Sequence, residues 1–253
     1  MTTDAATARD VAVKFSVQTP PVFERVEDER RHRLERLAAT CRIFGAKGFG
    51  DGILGHITVR DPEHTDRLWV NPLGVSFRQM RVSDLVQVNH GGELTVGDRP
   101  VNPVGLRLHA AVHMARPEVN AVCHAHSRFG RAWASLGRLL DPITQDSCVF
   151  FEQQALIVEP RAVLTPEQAA QFAVAFGDKR VAIQQGHGLF TTGLTVDEAA
   201  WWFISMETAC DIQLMAEAAG TPERWPEAQA RGLAGALGSP IFGWSSFQPM
   251  WDD

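Results

Sequence analysis

From Phe23 to Ala219, strand-length apolar runs alternate with stretches whose apolar residues recur every three or four positions, and neither a Pro/Ser-rich linker nor an internal repeat interrupts the alternation. Such a pattern buries its apolar faces by laying helices over a sheet, so one α/β domain with a covered sheet is expected. The first helix is expected from Phe23, with Leu34, Leu37, Ala38, Cys41 and Phe44 on one stripe and Gly45 and Gly48 at its end. Strands are expected at Ile53 to Arg60 and Leu68 to Asn71. Leu85 to Val88 and Glu93 to Val96 flank His90-Gly91-Gly92 as a hairpin. A helix over Gly105 to Ala115 is stopped by Arg116-Pro117, and a strand over Val119 to His126 leads to a helix capped by Ser127. Short strands near Cys148–Phe151 and Leu156–Val158 precede a helix opened by Thr165-Pro166. Arg180 to Gln184 and Leu189 to Thr192 read as strands. Thr195 to Ala219 reads as a long helix with a Thr195/Glu198 capping box, ended by Gly220. Residues 1–22 read as a flexible polar arm, 23–220 as the folded domain, and 221–253 as a weakly periodic extension packing on the domain or on a neighbouring subunit.

Composition removes several function classes. Net charge is −6 with no Lys/Arg-rich face, so nucleic-acid binding has no electrostatic support. No apolar run approaches the roughly 20 residues of a membrane span, and the N-terminus lacks the basic-then-apolar pattern of a secretory signal. The four cysteines show no C-x-x-C spacing and do not suggest a disulfide framework, which makes the cytoplasm the default compartment. With 14 Phe, 7 Trp and no Tyr, the chain has no phenol of its own to donate a proton.

Nine histidines carry most of the chemical information. His32 lies among arginines on the charged first helix, and His64 and His90 lie in polar turns; all three are expected to be solvated. His124-Ala125-His126 ends an apolar strand. Residues i and i+2 of a strand share a face, so the two imidazoles project together from the sheet edge, either as metal ligands or as a hydrogen-bonded pair. His187, between Gly186 and Gly188 after another strand, is either a third ligand or a turn residue.

Taken together, Gly55-His56-Ile57-Thr58-Val59-Arg60, Trp69-Val70-Asn71-Pro72-Leu73-Gly74, Ser83-Asp84-Leu85-Val86, the run Arg116 to Ser127 ending in His124-Ala125-His126-Ser127, Gly186-His187-Gly188-Leu189 and Thr195-Val196-Asp197-Glu198-Ala199-Ala200 resemble the class II aldolase/adducin family from about Arg33 to Ala219. The resemblance implies a three-layer α/β/α sandwich with a mainly antiparallel central sheet. It also implies a homotetramer with sites near subunit interfaces and one divalent metal ion per subunit, Zn2+ or Fe2+, held by His124, His126 and His187.

The departures from the family pattern narrow the chemistry. The sugar-phosphate aldolases of the family place a catalytic Glu where this chain has Gly105. The preceding serines that hold phosphate are Pro103 and Val104, a substrate-contacting Asn is His56, and the proton-donating Tyr has no counterpart, with Gln145 and Asp146 near its place. Without that carboxylate, formation of an enediolate from a ketose phosphate lacks its usual agent. The pattern looks more like the adducin-like bacterial branch, close to oxygenases that act on prenylated 4-hydroxyphenylpyruvate. A metal on three neutral imidazoles keeps its full charge and open positions, suited to a chelating 2-oxo or 2-hydroxy acid. His109, one helical turn after Gly105, His56, Asp146 and Glu152 are the candidates for proton transfer, and Phe150 and Phe151 for an apolar pocket wall. The expected function is therefore a metal-dependent enzyme acting on a small unphosphorylated carboxylic acid, with lyase or decarboxylation chemistry through a stabilised enolate. A non-haem Fe(II) oxygenase of an aromatic 2-oxo acid and a non-catalytic, adducin-head-like assembly module are the alternatives.

Overall fold

The computed structural model describes residues 19–50 and 52–251; most of the expected N-terminal arm lies outside the described residues. An eight-stranded sheet forms the centre: β1 (His56–Arg60), β2 (Arg67–Val70), β3 (Val86–Asn89), β4 (Leu94–Val96), β5 (Ala121–Ala125), β6 (Gln154–Ile157), β7 (Val181–Gln184) and β8 (Gly188–Gly193), in the order β4-β3-β2-β1-β5-β8-β7-β6. Every neighbouring pair is antiparallel except β6–β7.

Eight α-helices accompany the strands among the described residues: α1 (Val26–Ala46), α2 (Pro103–Ala115), α3 (Arg128–Leu136), α4 (Gln145–Cys148), α5 (Pro166–Phe176), α6 (Val196–Ala219), α7 (Glu227–Leu237) and α8 (Pro240–Trp251). Strand alternation divides the core into two sides. Ile57, Val59, Ala121, Cys123, Ala125, Ile183 and Leu189 pack with residues of α1, α3, α6 and α8. Val122, Ala182 and Phe190, on the other face, pack with Leu108 and Val112 of α2 and Phe172 and Phe176 of α5. The result is the expected three-layer α/β/α sandwich around a mainly antiparallel sheet.

The structure corrects three local expectations and adds two helices. Cys148–Phe151 is not a strand: Thr144 accepts from Ser147 N and opens the short helix α4, whose turns continue to Phe151. The four residues 148–151 are apolar and mostly buried, and a short apolar run gives no period to separate a strand from a buried helical turn. The weakly periodic stretch after Thr221 carries two helices, α7 and α8. Gly243 lets α8 lie against α6, where a Cβ would come within 2.6 Å of Trp202. Ser127 precedes α3 without capping it through its own hydroxyl. At the start of α6 the Thr195 hydroxyl accepts from Glu198 N as expected, but the Glu198 carboxylate reaches past Thr195 to Leu194 N.

Candidate metal centre and its polar surround

On the α2-facing side of β1 the alternation puts three polar residues, His56, Thr58 and Arg60, and all are buried. β1 pairs with β5 so that His56 lies opposite His124. β5 pairs with β8, and β8 with β7, so the ends carrying His126 and His187 meet at the same edge of the sheet. One ligand atom each from His124, His126 and His187 lies within 4.8 Å of the others.

Hydrogen bonds fix which ring nitrogens face inward. His124 Nδ1–H donates to Leu189 O (2.8 Å), which leaves Nε2 as a lone pair, and that atom is buried without a partner. Gln184 Nε2 donates to Pro160 O (2.7 Å), so its Oε1 turns to accept from His187 Nδ1–H at 2.6 Å. His187 Nε2 is then also a lone pair, and it lies 3.1 Å from His126 Nε2. Carbonyl and amide oxygens that orient ligating histidines in this way are the usual outer partners of a metal site. Burial, then the neighbouring His126, lowers His187 to about 4, and burial holds His126 and His124 below the ordinary imidazole value too. The rings therefore stay neutral at pH 7, the form that binds metal. Converging lone pairs, one of them buried and unpartnered, fit a divalent cation.

His56 and His109 join the same cluster. The His56 ring stacks parallel to His124 with centroids 6.0 Å apart and meets His109 edge-on at 5.8 Å. Both His56 nitrogens are buried and have no partner, as is His109 Nε2. Burial is the first cause that lowers His56 to about 4. The ring crosses the start of α2 only because residue 105 is Gly: a Cβ there would sit 2.2 Å from His56 Cε1. Beyond His56 opens a small cleft whose lining includes Gly55, Asn71, Leu73, Phe77 and Asn102. Phe190 stacks on His124 at 4.0 Å and forms the apolar side of the cluster.

Asp146 and Glu152 are not brought to these histidines. Asp146 is exposed on α4, which packs on α6 and α7. Glu152 precedes β6 at the end of the sheet opposite His187 and pairs on the surface with Arg231 of α7 at 2.6 Å. Phe150 is a core residue against Trp202, and Phe151 lies under Arg231, so neither lines the cluster. The orienting roles of Thr58, His113 and Gln184 are not legible in the sequence, because they depend on strand register and helix docking.

Residues 35–214 match the family model described as the Class II Aldolase and Adducin N-terminal domain. The chain is 41% identical over 234 residues to the protein named Decarboxylase NovR of Streptomyces niveus, covering 91% of this chain and 87% of that one. It is also 41% identical to the 4-hydroxy-3-prenylphenylpyruvate oxygenase/4-hydroxy-3-prenylbenzoate synthase of Streptomyces roseochromogenus subsp. oscitans, covering 91% and 84%. Among solved structures, the L-fuculose 1-phosphate aldolase from Glaciozyma antarctica superposes with a TM-score of 0.87 at 43% identity, covering 92% of both chains.

Proposed function

The chain belongs to the class II aldolase/adducin family, and on that premise we propose that it is a divalent-metal-dependent enzyme for a small, unphosphorylated 2-oxo or 2-hydroxy acid, with decarboxylation or lyase chemistry. The observation that carries the reading is the convergence of one ring nitrogen each from His124, His126 and His187, with the lone pairs of His124 and His187 fixed by Leu189 O and Gln184 Oε1. A cation held there, Zn2+ or Fe2+, supplies Lewis-acid polarisation of a chelating acid, and in the Fe2+ case a place for dioxygen as well. His56 and His109 move or hold the proton at the reacting carbon, in place of the carboxylate that residue 105 lacks. Phe190 keeps water from one side. We place the enzyme in the cytoplasm as a homotetramer.

Two relatives' names bear on the reaction, and one structure's name cuts across it. A decarboxylase and an oxygenase of a prenylated phenylpyruvate support an acid substrate that loses CO2. The fuculose-phosphate aldolase name does not transfer easily, because a Glu at position 105 would collide with His56 and because Pro103 and Val104 offer few phosphate donors. The oxygenase relative also favours a second reading, oxidative decarboxylation with Fe2+.

Anaerobic purification with metal analysis, followed by assay of CO2 release from aliphatic and aromatic 2-oxo acids, tests this reading. Metal-dependent CO2 release is expected. Oxygen uptake with bound iron selects the second reading, and a redox-inert ion without uptake selects the first. Efficient cleavage of a ketose 1-phosphate, or a protein that binds no divalent metal, overturns the proposal.

A further inference from the structure

Behind the cluster runs a buried hydrogen-bond chain that the proposed chemistry does not itself require. It begins at the Val119 carbonyl, which accepts from Arg60 Nε and from Arg60 at a second nitrogen. His113 Nδ1 lies 3.2 Å from the same oxygen. His113 Nε2 is 2.9 Å from Thr58 Oγ1, and Thr58 Oγ1 is 2.9 Å from His109 Nδ1. His109 and His113 are one helical turn apart on α2, facing Thr58 of β1, and all three are buried.

Donor counting gives the chain a direction. A carbonyl oxygen only accepts, so His113 Nδ1 carries a hydrogen. In a neutral ring His113 Nε2 is then a lone pair, and it takes the single hydroxyl hydrogen of Thr58. With its hydrogen used, Thr58 Oγ1 can only accept from His109, so His109 Nδ1 carries a hydrogen and His109 Nε2 is a lone pair. That atom is buried and unpartnered, with His56 edge-on at 5.8 Å and Phe190 at 6.1 Å. The neutral state that the counting needs is secured by burial. Burial and the Arg60 cation lower His113 to about 3, and burial first, then His56, puts His109 well below the usual imidazole range.

We propose that Thr58 and His113 are positioning residues that lock His109 in the Nδ1–H tautomer, making its Nε2 a permanent hydrogen-bond acceptor beside His56. The assignment deepens the proposed function and rests on it for the statement that His109 serves catalysis. It limits what can dock there: a hydroxyl, a water or an imidazole N–H satisfies His109 Nε2, whereas a carboxylate or phosphate oxygen does not.

The experiment is 15N NMR of the 15N-histidine-labelled full chain at pH 7.5, metal-free and loaded with Zn2+, with signals assigned by their loss in H109Q and H113Q. Both His109 and His113 should show a protonated Nδ1 and an unprotonated Nε2. Thr58→Ser, which keeps the hydroxyl, should preserve the pattern. Thr58→Val should abolish the single-tautomer signature of His109 while leaving Zn2+ affinity within about threefold, because Thr58 is not a ligand. The wild-type spectrum decides the matter even if Thr58→Val does not fold. A hydrogen on His109 Nε2, or a cationic His109 in the wild type, overturns the inference. Failure of the wild type to bind Zn2+ would instead overturn the metal reading and leave the tautomer assignment intact.

Discussion

Position 105 and position 56 cannot be varied separately. The ring of His56 occupies the volume next to Gly105, so one substitution at the start of α2 acts on the cluster without touching a proposed ligand. Gly105→Ala should displace His56, because the ring must give way to a Cβ 2.2 Å from Cε1. Replacing Gly by Ala in the first turn of the helix gains less than the roughly 1 kcal/mol of a helix interior, and this offsets part of the clash. Global stability should therefore change by no more than about 1–2 kcal/mol while turnover of the 2-oxo acid drops at least tenfold. A fully active Gly105→Ala variant would remove His56 from the mechanism. His187→Ala has the opposite signature: the fold should survive, since His187 is half-buried in a turn, but bound divalent metal should fall below a tenth of the wild-type stoichiometry. Full occupancy in that variant, read by elemental analysis, would mean that the ligands are other residues.

Between strand and helix, the loop that carries His126 is held from outside by α6. Glu207 accepts from Ser127 Oγ at 2.5 Å, from Phe129 N at 2.8 Å and from Gly130 N at 2.6 Å, so its carboxylate caps α3 in place of the Ser127 hydroxyl. Glu207→Ala leaves three donors without an acceptor next to a proposed ligand. It should cost about 3 kcal/mol or more, against roughly 1–2 kcal/mol for Glu207→Gln, in equilibrium denaturation. Metal affinity should weaken with it, at least tenfold, because the main chain at residues 126–127 loses its anchor. Equal stability of both variants and the wild type would show that the cap is dispensable. The same segment shows what was legible beforehand. The i, i+2 histidines and the strand before them announce the edge of the sheet, and Thr165 and Thr195 announce helix starts by their caps. A cap supplied from about eighty residues away by Glu207 leaves no local mark. Likewise α8 hides its three- and four-residue spacing of Gly243, Trp244 and Phe247 behind Gly and Pro, and the acid/base candidates Asp146 and Glu152 followed a loop alignment that the α4 turn rearranges. The polar face of β1 is readable as His56-x-Thr58-x-Arg60, but its meaning depends on α2 docking His109 and His113 against it.

At the scale of the molecule, gathering so many neutral imidazoles under cover makes stability depend on pH. An unfolded histidine titrates near 6.5, whereas in the fold His56 and His187 titrate at about 4 and His113 at about 3. Their folded values are depressed, so between pH 6.5 and about 4 the unfolded chain binds more protons than the folded one. By linkage, stability then rises with pH across that window. The contribution is fully present above about 6.5 and is lost on acidification toward 4, at up to about 1.4 kcal/mol per pH unit for each histidine. His109 and His124 act in the same direction. Asp197 and Glu198, raised by burial, bind protons sooner in the folded state and oppose the trend in its lower part. The metal-free protein should thus lose several kcal/mol between pH 7 and 5 in urea unfolding, well before its ordinary carboxylates titrate. Added Zn2+ stabilises only the folded state, by an amount set by its concentration relative to Kd. That increment should hold across this window and fall only toward pH 4, where the folded rings begin to protonate and protons compete with the metal for the same lone pairs. In His187→Ala the Zn2+ increment should be missing at every pH while the acid sensitivity of the remaining histidines persists. A metal-free stability that stays flat from pH 7 to 5 would mean that these rings are not held neutral by the fold, and the account of a preorganised neutral cluster would fail with it.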